Sequence, residues 1–274
     1  MDILQCAALD VTTSGGFGAF LTATMRGDRK GWLHWLGVHC SSFVMTSRGS
    51  TGRSMANPEG CSDIPAVESA NKMAARVALL LLATSAFLGT WVVEQPKSSL
   101  LFQLSPLQFV CERMQVFKCQ FWMWHYESRT PKPTVLWSSS RAIAKFWMGS
   151  LKRAQVRAEQ EKRNPGKCGP PVKRWIDKEG RQRFKGTFDL RATGQYTAAF
   201  GKKIASELHA LKQFTPRPSE HDELQNLDAM TIWSAWGWED LWPMADMTEF
   251  VKYLYGSKAL KIPAEWAPLL PREL

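Results

Sequence analysis

Residues 65–94 read PAVESANKMAARVALLLLATSAFLGTWVVE, and how this stretch is divided decides the fold. Taken whole, Val77 to Val93 is seventeen residues without a charge, the lower limit for a bilayer-crossing helix, which needs about 20 apolar residues. Local signals divide it instead. Pro65 suits a first helical turn, with Asp63 just ahead of it. Glu68, Lys72 and Arg76 recur every four residues and give the first half one wet stripe. Gly89 suits a helix C-terminal stop, and Trp91-Val92-Val93 favours a strand. The reading is a helix over 65–88 packed on a sheet, then a central strand over 90–94. Membrane association through 77–93 is the lesser alternative.

The same alternation continues outward. Upstream, residues 2–11 read as a buried strand, followed by the cluster Ser14-Gly15-Gly16-Phe17-Gly18 and an apolar helix near 18–26. Strand, glycine turn and helix is the layout that lets backbone approach a nucleotide-like ligand. Residues 33–46 read as a further strand and its loop. Downstream come a helix over 106–117, an aromatic strand over 119–126, a stiff turn at Thr130-Pro-Lys-Pro-Thr134 and a short strand at 135–137. Strands alternating with helices predict an α/β protein, with a parallel-rich, Rossmann-like sheet covered by helices.

Composition supports a real core, with 45% hydrophobic residues in 274. The six cysteines form no Cys-x-x-Cys and none lies near a His-x₃-His, which argues against a zinc site and against a disulfide framework. Reduced thiols and an N-terminus without a basic leader and apolar stretch point to an intracellular protein, nuclear or cytoplasmic. Charge is localised. Residues 141–203 carry seventeen Lys/Arg against five Asp/Glu, a net +12 in a chain of +10, so the remainder is −2. Within that segment 151–163 reads as an exposed charged helix, 164–171 as a loop, 172–186 as a hairpin turning at Asp177–Gly180, and 197–213 as a helix. Two units follow: 1–205, an α/β domain that includes the basic segment, and 206–274, a helical, Trp-rich extension.

Two residues stand where buried strands hand over to loops. Cys40 follows the apolar Leu36 and Val38 and opens the polar loop SRGSTGRS (47–54); Glu94 ends Trp91-Val92-Val93, and Pro96 stops the run. Ligands in open α/β sheets bind at such strand ends, and a thiol beside a carboxylate supplies a nucleophile and a proton-handling partner. His39 beside Cys40 either lowers the thiol pKa or faces water. Arg48 and Arg53 in the loop are candidate phosphate ligands. Trp122 and Trp124 either stack bases or fill the core.

In this order the pieces resemble class I S-adenosylmethionine-dependent methyltransferases, nearest the cytosine-5 DNA branch. They resemble more closely a group of uncharacterised algal proteins with the same strand-and-loop pattern over about residues 1–205. The family's Asp-x-x-x-Gly-x-Gly stretch is matched by Asp10 through Gly18, which implies an S-adenosylmethionine cradle of Asp10, Ser14, Gly15, Gly16 and Gly18. The family's Pro-Cys loop is matched by His39-Cys40-Ser41-Ser42 and its Glu-Asn-Val strand end by Glu94-Gln95-Pro96. Its later basic strand start resembles Lys132-Pro133-Thr134, and its closing helix resembles Gln195-Tyr196 through Phe200-Gly201-Lys202. The resemblance implies a Cys40 thiolate attacking C6 of a flipped cytosine while Glu94 holds the ring at its N3 edge.

The chain departs from the family where His39 replaces the proline. It departs again in having 29 residues between Asp10 and Cys40, with Asp28 the one carboxylate among them, and in lacking a Gln-x-Arg-x-Arg stretch. The expectation is therefore a degenerate methyltransferase-like protein that binds nucleic acid through the basic segment, with S-adenosylmethionine or no cofactor. Its phosphate ligands would be Arg48, Arg53, Lys132, Lys173, Arg174, Arg181 and Arg183. An active cytosine-5 methyltransferase using Cys40 and Glu94 is the alternative.

Overall fold

The computed structural model describes residues 32–86, 89–152, 172–186 and 194–213, with single positions at Val11, Thr12, Phe17, Phe20, Thr24, Val156 and Lys162. The expected strand over 2–11, most of the glycine cluster and helix after it, most of the charged helix over 151–163, the loop over 164–171 and the extension beyond 213 lie outside the described residues. So do Asp10, Ser14, Gly15, Gly16 and Gly18.

The decisive stretch divides as its sequence predicts. Helix α1 runs Pro65–Ala86 and strand β2 runs Thr90–Pro96. The charge-free run is thus divided between helix, over 77–86, and strand, over 90–93. No helix among the described residues is long and apolar enough to cross a membrane. Gly89 is required for packing: a Cβ there would sit 2.5 Å from the Trp32 ring. The wet stripe is shorter than expected. Glu68 and Lys72 form an exposed ion pair at 3.1 Å. Arg76 instead is buried, donates to the carbonyls of Val11 (2.9 Å) and Thr12 (2.6 Å), and lies 5.5 Å from the Phe17 ring centre. A guanidinium tolerates burial when carbonyls take its protons.

Around these elements stand β1 (Leu33–Gly37), α2 (Ser105–Arg113), β3 (Phe117–Trp122) and β4 (Pro133–Ser138). The sheet order is β1-β2-β4-β3. β1 and β2 are parallel, with Gly37 opposite Glu94; β4 runs antiparallel to both β2 and β3. The sheet is therefore mixed, with one parallel pair, which corrects the parallel-rich expectation. The cause is connection length: α1 lies between β1 and β2, but only a 3₁₀ turn (Met123–Tyr126) and a short loop join β3 to β4. A parallel partner needs a crossover of about a dozen residues or more, usually helical. β3 also differs from a strand buried on both faces. It is an edge strand that alternates, with Lys118 and Gln120 exposed and Cys119 and Phe121 buried, while Trp124 is buried in the turn that follows.

β2 is the axis of the molecule. Trp91 and Val93 face one core, built with Met73, Val77 and Leu81 of α1 and Leu107 and Val110 of α2. Val92 faces the other core, with Phe121, Leu136, Phe146 and Phe200. Period-two alternation sends successive β2 residues into opposite layers, so Glu94 shares the face of Val92. The serine run after β4 satisfies the β2 backbone: Ser138 Oγ donates to the Trp91 carbonyl (2.6 Å) and Ser139 Oγ accepts from the Trp91 N–H (3.2 Å).

Two elements complete the described fold. The basic segment forms the expected hairpin, β5 (Val172–Ile176) and β6 (Gln182–Gly186), as a separate two-stranded sheet. Helix α3 (Ala198–Lys212) closes the second core. Thr197 caps it, its hydroxyl accepting from the Phe200 N–H at 3.2 Å and donating to the Tyr126 carbonyl.

Candidate functional site

The site grows from the end of the parallel pair. Because Gly37 is in register with Glu94, the loop after β1 begins beside the end of β2. Gln95 pins that loop: its side-chain N–H donates to the Val38 carbonyl at 2.6 Å, and its carbonyl accepts from Ser99 Oγ at 2.8 Å. Cys40 then turns the chain, its carbonyl accepting from the Phe43 N–H at 2.9 Å. The expected juxtaposition of Cys40 and Glu94 at one sheet edge is present, and the two groups feel each other electrostatically.

Glu94 does not face solvent. Only 6% of its surface is exposed. Lys132, which ends the turn before β4, brings its ammonium to 3.3 Å from Glu94 Oε1. That contact lacks hydrogen-bond geometry, so Oε1 is ion-paired but accepts no hydrogen bond. The other oxygen, Oε2, accepts from the Tyr196 hydroxyl at 3.3 Å. Tyr196 Oη in turn accepts from the Trp35 indole N–H at 3.3 Å. Burial, then the nearby Glu94 charge, pushes the Tyr196 phenol far up, so it remains a donor.

Tyr196 reaches Glu94 because of the helix that follows it. Phe200 is fully buried among Trp35, Phe121, Tyr126, Phe146 and Tyr196 with ring centres 5.1–5.9 Å away. Such edge-to-face and stacked contacts fix both position and angle of α3. Gly37 leaves the space: a Cβ there would lie 3.0 Å from Tyr196 Oη.

Cys40 sits partly buried beside this cluster. Burial pushes its thiol above the ordinary range; Lys132 pulls it down, Glu94 pushes it up, and its own backbone N–H pulls it down. The net direction is upward, so at neutral pH the group is a thiol rather than a thiolate. His39 is exposed and pairs with Ser41 Oγ at 3.2 Å, and does not hydrogen-bond Cys40. A neutral thiol beside a carboxylate that is paired with Lys132 and hydrogen-bonded by Tyr196 is not an activated nucleophile.

The candidate phosphate ligands divide into three kinds. Arg53 is 2% exposed and staples the loop from within. It donates to Ser42 Oγ (3.2 Å), to the carbonyls of Pro58 (2.6 Å) and Val67 (3.4 Å), and to Asn71 Oδ1 (2.8 Å), with its guanidinium carbon 4.6 Å from the Phe43 ring centre. Its donors are spent on the fold, which corrects its assignment as a phosphate ligand. Lys132 is spent on Glu94. Arg48 is exposed on a single helical turn, Arg48–Thr51. Lys173, Arg174, Arg181 and Arg183 are all exposed on the hairpin.

Sequence reasoning missed Tyr196 and Trp35 as neighbours of Glu94. Tyr196 lies 102 positions from Glu94; the resemblance names it at the start of the closing helix but does not pair it with Glu94. Among the described residues no group of His, Cys, Asp and Glu is arranged to hold a metal ion, and Cys40, Cys61, Cys111 and Cys119 are free thiols. Comparison with protein-family models, with curated proteins and with solved structures gave no match.

Proposed function

We propose that this chain is a nucleic-acid-binding protein on a degenerate methyltransferase-like frame, and that it does not transfer methyl groups. The observation that carries the reading is the hairpin, where Lys173, Arg174, Arg181 and Arg183 are exposed on a sheet of their own within a segment of net +12. Exposed cations on a ribbon suit a phosphate backbone, whose binding is driven by counterion release. The end of β2 supports the second half of the proposal. Glu94, the group that would hold a base, has both oxygens engaged by Lys132 and Tyr196. S-adenosylmethionine is the cofactor the resemblance implies. Its cradle would be Asp10 to Gly18, which lies largely outside the described residues, and no step of this reading runs through it.

The competing reading, an active cytosine-5 methyltransferase, draws on one observation: Cys40 and Glu94 do come together at one end of the parallel pair. It requires Lys132 and Tyr196 to release Glu94 when a base enters.

Titrating labelled oligonucleotides with the protein over a range of salt tests the proposal. Binding should weaken by about 0.9 log unit per log unit of salt for each phosphate neutralised on duplex DNA, and about 0.7 on a single strand. Replacing Lys173, Arg174, Arg181 and Arg183 with Ala should weaken it similarly across sequences. Absence of binding at about 0.15 M salt overturns the nucleic-acid half. Label transfer from S-adenosylmethionine to cytosine-containing DNA or RNA, lost in Cys40→Ser, overturns the non-catalytic half.

A further inference from the structure

The hairpin carries an unexplained aromatic. Trp175, the fourth of the five residues of β5, leaves 46% of its surface exposed. Burying an indole is normally worth a few kcal/mol, so an exposed one flanked by charge is a feature to account for. Cross-strand register places it. Trp175 pairs directly with Arg183, and Lys173 precedes it by two residues. Residues directly opposite, and residues two apart on one strand, point to the same side of the ribbon. Lys173, Trp175 and Arg183 therefore share one face, with the indole next to both cations, directly across from Arg183 and two residues along the strand from Lys173.

That face is held rigidly. Asp177 closes the turn, its Oδ1 accepting from the N–H groups of Glu179 (3.0 Å) and Arg181 (2.8 Å). Its Oδ2 accepts from Nε of Arg183 (2.6 Å) and of Arg181 (3.3 Å). The backbone turn is completed by the Gly180 N–H donating to the Asp177 carbonyl at 3.0 Å, with Gly180 at φ 75°. Arg183 is thus fixed in direction before any ligand arrives, which lowers the ordering cost of binding.

We propose that the Lys173–Trp175–Arg183 face of the hairpin binds single-stranded nucleic acid, with one unpaired base stacked on the Trp175 indole and the adjoining phosphates on the two cations. This rests on the nucleic-acid reading above and names its substrate class. The selection follows from geometry: a base inside a duplex has both faces covered by its neighbours, whereas an unpaired base offers a free π-face to an aromatic ring. Charge complementarity favours a polyanion over an acid-poor protein surface, and stacking makes the preference tolerant of base identity.

The experiment compares a labelled single-stranded oligothymidine, the same strand carrying consecutive abasic sites, and a duplex of equal length, each titrated with the full chain. Wild type should bind the single strand more tightly than either other probe. Trp175→Ala should weaken single-strand binding by about five- to 150-fold, leave duplex and abasic binding nearly unchanged, and be rescued by Trp175→Phe. Lys173→Ala with Arg183→Ala should weaken all three. Duplex bound as tightly as the single strand, or abasic and normal strands bound alike by wild type, overturns the stacking proposal and leaves the nucleic-acid reading intact. The abasic comparison needs no variant, so it stands even if Trp175→Ala loosens the hairpin. Failure of wild type to bind any of the three overturns both.

Discussion

The end of β2 and the β5–β6 hairpin use the same kinds of side chain to opposite effect. At the end of β2, Lys132 and the Tyr196 hydroxyl converge on the buried Glu94 carboxylate, and Trp35 donates to that hydroxyl; Lys132 is 15% and Glu94 8% exposed at the side chain. On the hairpin, lysine, arginine and tryptophan stand outside, with Arg183 45% and Arg181 63% exposed at the side chain. The difference teaches that cation count alone says little about ligand binding. A buried cation is fixed by its internal partner, and taking it for a ligand would cost the fold; a surface cation keeps solvated N–H groups for phosphate even where, as in Arg183 and Arg181, part of the guanidinium is paired with Asp177 or Glu179.

The largest test of that contrast is Glu94→Leu. It strands the Lys132 ammonium against the core and removes the acceptor for Tyr196, so unfolding in urea should show a loss of about 3–5 kcal/mol. Glu94→Leu combined with Lys132→Met should recover much of it. A loss below about 1 kcal/mol for the single variant would make the end of β2 as tolerant as the hairpin.

Acid should act on the core and on the hairpin in separate windows. His34 of β1 packs between the Phe20 and Trp32 rings, with centres 4.6 and 4.4 Å away. Its Nδ1 lies 3.0 Å from Thr84 Oγ1, whose proton goes to the Leu80 carbonyl at 2.5 Å, so the ring donates. Burial lowers its pKa to about 4. The folded state holds the ring neutral while the unfolded chain takes a proton below about 6.5, so stability should fall as pH drops from about 6.5 to about 4. On the hairpin, partial burial pushes Asp177 up, but the Arg181 N–H and the Arg183 side chain outweigh it and hold the carboxyl at about 2. Its contribution is present above its ordinary range near 4 and is lost only toward pH 2. Thermal melts between pH 7 and 4.5 should thus shift downward, and His34→Gln should flatten them; an unchanged slope in that variant would remove His34 as the cause.

Tyr196→Phe should cost less, about 1–2 kcal/mol, because it deletes the donor to Glu94 and the acceptor for the Trp35 indole while keeping the ring against Phe200. The melt of this variant against wild type measures it. The smallest effect is expected on the hairpin, where each of Lys173→Ala and Arg174→Ala should move stability by no more than about 0.5 kcal/mol while nucleic-acid affinity falls. A hairpin substitution that unfolds the chain would erase the contrast between the two regions.

Much of the local structure was legible in the residues themselves. Pro65, the apolar run and Gly89 marked a helix and then a strand, because propensity and punctuation act over a few positions. Asp177–Gly180 marked a tight turn, and the localised charge marked an exposed ribbon. The helix expected over 197–213 is α3, Ala198–Lys212. The placement of Cys40 and Glu94 at one edge was also legible, because each follows an apolar strand and strands joined by a helical crossover end on the same side.

Tertiary structure alone decided the rest. The insertion of β4 between β2 and β3 depends on which strand ends a short loop can join, and no single strand encodes it. Arg53 and Arg76 look like solvent-facing cations in sequence, and they are buried because acceptors on other segments receive them, Val67 and Asn71 of α1 for Arg53 and Val11 for Arg76. The closing of Glu94 needs Lys132 and Tyr196, brought in by β4 and α3 from far along the chain. Local signals fix dihedral angles and periodicity over a handful of residues; burial, and with it the fate of every charge, is set by contacts between segments that sequence neighbours do not share.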